Sequence, residues 1–81
     1  MVKTLGTNQH KALVAALVAA REAAGMTQTQ LADALGEYQS FVARLESGER
    51  RIDVIEFIGL SRVMGFNAGE ILYKISEISE C

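Results

Sequence analysis

Between Thr27 and Gly48 the chain reads TQTQLADALGEYQSFVARLESG, and its hydrogen-bonding side chains gather late in that stretch: Gln39, Ser40 and Arg44, with the small Ala43 between them. A glutamine amide donates and accepts, a serine hydroxyl does either, and a guanidinium presents a rigid fork of donors. Val42 and Leu45, three residues apart, take the inward face of the same helical pattern, so the polar set lies on its other faces. Such groups recognise a patterned hydrogen-bonding surface; they do not make or break bonds. Elsewhere Ser, Asp and Glu are scattered with no histidine-based triad, and no glycine-rich phosphate loop follows a strand, so hydrolytic, hydride-transfer and NTPase chemistry lack support. The chain is not expected to be an enzyme.

The elements that must position this set are two short helices and a turn. Thr27 with Gln30 forms a capping box that opens the first, and Leu31 and Leu35 fall on one face of it. Ala32 sits where the second helix must cross closely. Gly36 supplies the positive φ that a tight interhelix turn commonly needs. Two helices so joined read as a helix-turn-helix, which points to DNA as the partner.

The remaining punctuation gives three more helices. Helix 1 is predicted from about Asn8 to Ala24, ending at Gly25, with Leu13, Leu17 and Ala20 or Ala24 as its inward stripe. Helix 2 runs from Gln28 to Leu35 and helix 3 from about Gln39 to Ser47, stopping at Gly48. Asp53 with Glu56 opens helix 4, which leads through Val54, Phe57, Ile58 and Leu60 to Met64 and Gly65. Asn67 with Glu70 opens helix 5, about residues 68–79. The expected fold is therefore all-α, a five-helix bundle in one domain spanning residues 1–81. The apolar run ALVAALVAA at 12–20 is too short to span a bilayer and reads as an alanine-rich core helix, so no membrane partner is expected and the predicted location is cytoplasmic.

With Gln28 counted as position one, Ala falls at five, Gly at nine, Val at fifteen and Leu at eighteen, a pattern similar to phage-repressor helix-turn-helix motifs. RLESGER at 44–50 and VMGFNAGEIL at 63–72 extend the likeness over about three quarters of the chain. The chain resembles the Cro/cI-type, XRE-family DNA-binding domains. That resemblance implies a transcriptional regulator, most simply a repressor, that inserts helix 3 into the major groove of double-stranded DNA.

The resemblance also assigns residues. Gln39 matches the first base-reading position, where its amide can donate to N7 and accept from N6 of adenine. Ser40 and Ala43 match neighbouring positions. Arg44 can bond O6 and N7 of guanine or a phosphate, or else pair with Glu37 or Asp33. Gln28, at the head of helix 2, corresponds to a phosphate contact, against a simple solvent-facing role. Arg50 and Arg51 lie in a loop where related repressors grip the backbone, against a merely solvated surface. Tyr38 stands where a Ser or Thr cap is usual, and either reaches a phosphate or packs on the turn. Arg21 and Glu46 match a partly buried ion pair of the scaffold. Phe41 reads as a packing residue and His10 as a surface histidine.

Charge and the tail bear on partners. The net charge is −2 and the pI about 5.3. Through residue 52 six basic residues face five acidic ones, whereas residues 53–81 hold two basic and five acidic, so the basic side is mild and the acidic helices should point away from DNA. Ile71, Leu72, Ile75 and Ile78 recur at helical spacing, either packing back on helices 1 and 4 or forming the seam of a homodimer. Such a dimer would set two recognition helices roughly 34 Å apart on a palindromic operator. The competing reading is a protein-interaction module of the same fold, such as an antitoxin or adaptor, with a protein partner. The lone Cys81 excludes a cysteine-based zinc site and reads as a reduced thiol; no metal or other cofactor is expected.

Overall fold

This computed structural model describes residues 4–80; Cys81 and its thiol lie outside the described residues. Among them five helices follow in order, α1 (Asn8–Ala23), α2 (Gln28–Leu35), α3 (Gln39–Glu46), α4 (Val54–Met64) and α5 (Ala68–Ser76), and no strand.

Local chemistry sets most of the boundaries. At the head of α2 the Thr27 hydroxyl accepts from the Gln30 N–H at 3.1 Å, while the Gln30 side chain accepts from the Thr27 N–H at 2.9 Å. Asp53 and Glu56 close the same reciprocal box at α4, at 2.7 and 3.1 Å. The α5 box is only half formed: Asn67 accepts from the Glu70 N–H at 2.9 Å, but the Glu70 carboxylate turns instead to Lys74, one helical turn ahead, at 3.3 Å. Tyr38 caps α3 by position alone, without a side-chain hydrogen bond. Gly36 takes φ +70°, and the Glu37 N–H then reaches back to the Ala32 carbonyl at 2.9 Å, closing the turn of the motif.

Three helices end earlier than the sequence suggests, α1 by one residue at Ala23. Helix α3 ends at Glu46 because the Ser47 hydroxyl bonds back to the Arg44 carbonyl at 3.1 Å and Gly48 follows in the left-handed region at φ +81°. Helix α5 ends at Ser76, and residues 77–80 fold back onto α1. There the Glu80 carboxylate accepts from the Asn8 and Gln9 N–H groups at 2.7 and 3.0 Å, supplying orphan amides of the α1 N-terminus with an anion that the helix dipole also favours.

Leu17, Leu31, Ala32, Val42, Leu45, Phe57, Leu60 and Met64 form the core, with Leu13 and Ala20 packed beside it; Ala24 is exposed. Every helix but α5 thus sends fully buried side chains inward, and α5 contributes the partly buried Ala68 and Ile71. Phe57 and Phe66 add a tilted ring pair with centroids 5.4 Å apart.

One residue departs from its expected place. His10 is not a surface histidine: it is 92% withdrawn from solvent, at 8% relative exposure, and its Nε2 has no hydrogen-bond partner. The reason is register, since residues 10, 13 and 17 share one face of α1 and Leu17 faces the core.

Ala32, 1% exposed, sits among these packed side chains, whereas Ala34 is exposed. Ala32→Leu should therefore destabilise by about 1–3 kcal/mol through overpacking, and Ala34→Leu by less than about 0.5 kcal/mol. Urea denaturation of the two variants beside the parent checks both figures.

Candidate nucleic-acid interface

The α2–turn–α3 unit presents its polar residues on a hydrogen-bonded relay that begins in α1. The Arg21 Nε and Nη2 donate to the two Glu46 oxygens at 2.6 and 3.0 Å, and Nη1 donates to the Met26 carbonyl at 2.8 Å. These side chains are only 14% and 8% exposed. The bidentate bond to Glu46 holds the Arg21 guanidinium charged, raising its pKa against the opposing effect of burial. Glu46 also accepts from the Gln28 amide at 2.9 Å, and the Gln28 carbonyl oxygen in turn accepts from the Gln39 amide at 2.8 Å. Three helices are thereby tied to one another through four side chains.

The relay decides what Gln39 can offer. One amide hydrogen is spent on Gln28, which fixes the side-chain plane; the second hydrogen and the carbonyl oxygen stay unspent, and these are the donor and acceptor that an adenine edge requires. Gln39 and Ser40 are exposed at the head of α3, Ala43 is half-buried beside the core face, and Arg44 is exposed. Among the described residues Arg44 makes no ion pair; the pairs present are Arg21 with Glu46, Arg50 with Glu56, and Lys74 with Glu70. Pairing of Arg44 with Glu37 or Asp33 is thus not seen. Gln28 faces inward with both ends of its amide engaged, so what it shows to the outside is the amide end of α2.

Tyr38 is 84% exposed and so does not pack on the turn. The two loop arginines, adjacent in sequence, do different things. Arg50 donates to both Glu56 oxygens at 2.9 and 2.7 Å and to the Arg51 carbonyl at 2.8 Å, and it lies over the Phe41 ring at 4.6 Å. It fastens the loop after α3 to the head of α4. Arg51 is exposed, and its guanidinium makes no hydrogen bond or ion pair among the described residues. The Arg50 bond lowers the Glu56 pKa, with further help from the Asp53 N–H and against partial burial.

Of the tail stripe, Ile71 packs against the core and Ile75 and Ile78 are half-buried, with the Gln9 amide donating to the carbonyls of both at 3.3 Å; Leu72 is 45% exposed. Sequence reasoning did not anticipate the inward use of Gln28, the Arg50 staple or the burial of His10.

A profile described as helix-turn-helix matches residues 17–71, more than half of the chain. An XRE-family-like protein from Pseudomonas syringae pv. tomato is 46% identical, with a TM-score of 0.78 over 84% of this chain and 83% of its own. The chain belongs to the XRE-type helix-turn-helix family. Its fold is also similar to two structures of the clp gene regulator ClgR from Corynebacterium glutamicum, each 24% identical with a TM-score of 0.74, over 84% of this chain and 72% or 88% of theirs. No match was found among the curated proteins. Family membership makes this a DNA-binding, transcription-regulator type of domain rather than an enzyme.

Two outcomes follow from the ion pairs. Glu46→Ala should cost about 3–5 kcal/mol, because it strands the partly buried Arg21, and should release Gln28 and Gln39 together; urea titration and the Gln39 side-chain amide resonances report the two effects. Glu56 has a folded pKa below its ordinary 4.5, so its contribution to stability is full above that value and is lost as pH falls through the lower folded value. Arg50→Gln should therefore flatten the acid limb of stability between about pH 3 and 5, measured by thermal denaturation across that range.

Proposed function

We propose that this protein is a sequence-specific reader of double-stranded DNA that acts as a repressor, laying α3 in the major groove of a palindromic operator as a homodimer in the cytoplasm. The observation that carries this reading is the Gln28-held Gln39 at the head of α3, its second amide hydrogen and its carbonyl oxygen unspent, with Arg44, outside any ion pair, about one and a half turns further on. A side chain oriented before contact loses less entropy on binding, and a bidentate contact discriminates bases.

In this reading Gln39 bonds adenine, Ser40 and Ala43 meet the neighbouring base edges, and Arg44 reaches guanine or the adjacent phosphate. The amide end of α2 at Gln28, the Tyr38 hydroxyl, Arg51 and the outward edge of Arg50 take phosphates. Exposed Glu37 at the turn, together with the net charge of −2, favours the other reading, an interaction module that meets a protein partner. The two differ in salt response, since phosphate contacts release counterions and an apolar protein interface does not.

Selection from a random duplex library should enrich a two-fold-symmetric site at low salt; no enrichment would favour the protein-interaction reading. On the enriched duplex, Gln39→Ala should cost about 1–3 kcal/mol and relax preference at one base pair per half-site. Arg51→Gln should instead weaken binding evenly across sequences and reduce the salt slope by about one for each half-site. Fluorescence anisotropy over a salt series separates the two.

A further inference from the structure

Between the head of α1, the loop ahead of α4 and one side of α5 lies an open cavity of about 570 Å³. Leu13, Ile52, Leu72 and Ile75 give it an apolar lining, and His10 and Arg51 stand in its wall. A largely apolar hollow of this size with a few polar groups has the make-up of a small-molecule site.

Its polar residues divide into those already engaged and those still free. Thr7 accepts from the His10 N–H at 3.1 Å and donates to the Thr4 carbonyl at 2.8 Å, and the Gln9 amide is held by the carbonyls of Ile75 and Ile78. Glu80 binds the N–H groups of Asn8 and Gln9, and the Lys11 N–H donates to the Thr7 carbonyl, so the first amides of α1 are closed to any other anion. Two groups remain. The Arg51 guanidinium is without a partner among the described residues, and the His10 Nε2 is out of solvent with no hydrogen bond. A buried polar atom left this way costs free energy that a complementary ligand group recovers. His10 also borders a second hollow of about 200 Å³, beside Ser47 and Gly48, so it is not packed solidly on either side and has room to turn toward a ligand. With the Glu80 carboxylate taken up by α1, the uncompensated charge at the cavity is positive.

We propose that this cavity binds a small carboxylic acid with an apolar body. Its carboxylate is held by Arg51 and gives the His10 Nε2 the partner it lacks, while its hydrocarbon lies on Leu13, Ile52, Leu72 and Ile75. Arg51 is also the loop arginine that the DNA reading assigns to a phosphate. The consequence for DNA, which rests on that reading, is release: an occupied cavity withdraws Arg51 from the backbone. The binding of the acid does not depend on it.

Octanoate is the probe, with octanol and octylammonium as its neutral and cationic counterparts. On the full chain without DNA, octanoate should bind saturably with a Kd of about 0.1 mM, octanol about tenfold more weakly, and octylammonium not at all. The chain has one histidine, so its imidazole resonances report the site directly; they should shift along the same isotherm as the Leu72 methyl groups. Arg51→Gln should weaken octanoate about tenfold and leave octanol unchanged, and Arg51→Lys should recover most of the loss. On a selected duplex, octanoate at about 1 mM should lower the affinity of the parent chain by up to about tenfold, and octanol should not. No saturable shift by about 5 mM, octylammonium bound in place of octanoate, or binding that leaves the His10 resonances unmoved would each overturn the proposal. Octanoate binding by a chain that selects no duplex would count against the DNA reading alone, whereas a selected duplex without octanoate binding would count against the cavity alone. Octanoate binding that left duplex affinity unchanged would overturn the release.

Discussion

The structure turns on one carboxylate. Glu46 lies at the last position of α3, nearly out of solvent, and takes donors from α1 and α2 at once. A charge in that place is tolerable only if fully paired, so Arg21 must stand opposite it and Gln28 must fill what remains of its hydrogen-bonding capacity. The orientation of α3 is thus set at its far end by an electrostatic requirement and along its length by Val42 and Leu45. Its near end, capped only by Tyr38, can do without a capping bond because those contacts hold the helix from behind.

This arrangement explains how an exposed side chain at the head of α3 can hold a fixed orientation. Gln39 receives its orientation from Gln28, and Gln28 receives its own from Glu46, so positional precision passes from the buried pair to the surface through two amides. Networks of this kind are stiff when every member is satisfied and fail together when one is removed. Ser40 and Arg44, exposed and outside the relay, retain their rotameric freedom.

Much of this was legible in the residues themselves. Capping boxes at Thr27 and Asp53, the left-handed glycines at 36 and 65, and the apolar spacing of Leu31, Val42 and Leu45 are local signals, and local chemistry decides helix starts and stops. Family resemblance, rather than spacing, pointed to Arg21 with Glu46. What could not be read was which polar partner each long side chain chooses. Arg50 and Arg51 are indistinguishable in sequence, and only the placement of Glu56 and Phe41 makes one a staple and leaves the other free. The tail is a similar case: a helical stripe through Ile78 is compatible with a longer α5, but the unsatisfied amides of α1 draw Glu80 back and end the helix at Ser76.

The acidic balance of the chain then acquires a physical role. Of its cations, Arg21, Arg50 and Lys74 are neutralised by carboxylates within the fold, so their charges do little for a distant polyanion. Arg44 and Arg51 remain free on α3 and the loop that follows it. In the proposed DNA reading, so few unpaired charges on that side would make general attraction weak, and occupancy of a site would rest on hydrogen bonds that its own sequence completes. Weak general attraction widens the ratio of specific to non-specific binding, which matters more than affinity alone when competing sites are numerous. In that reading, a second copy of so small a reader would gain affinity by doubling the contacts without raising charge.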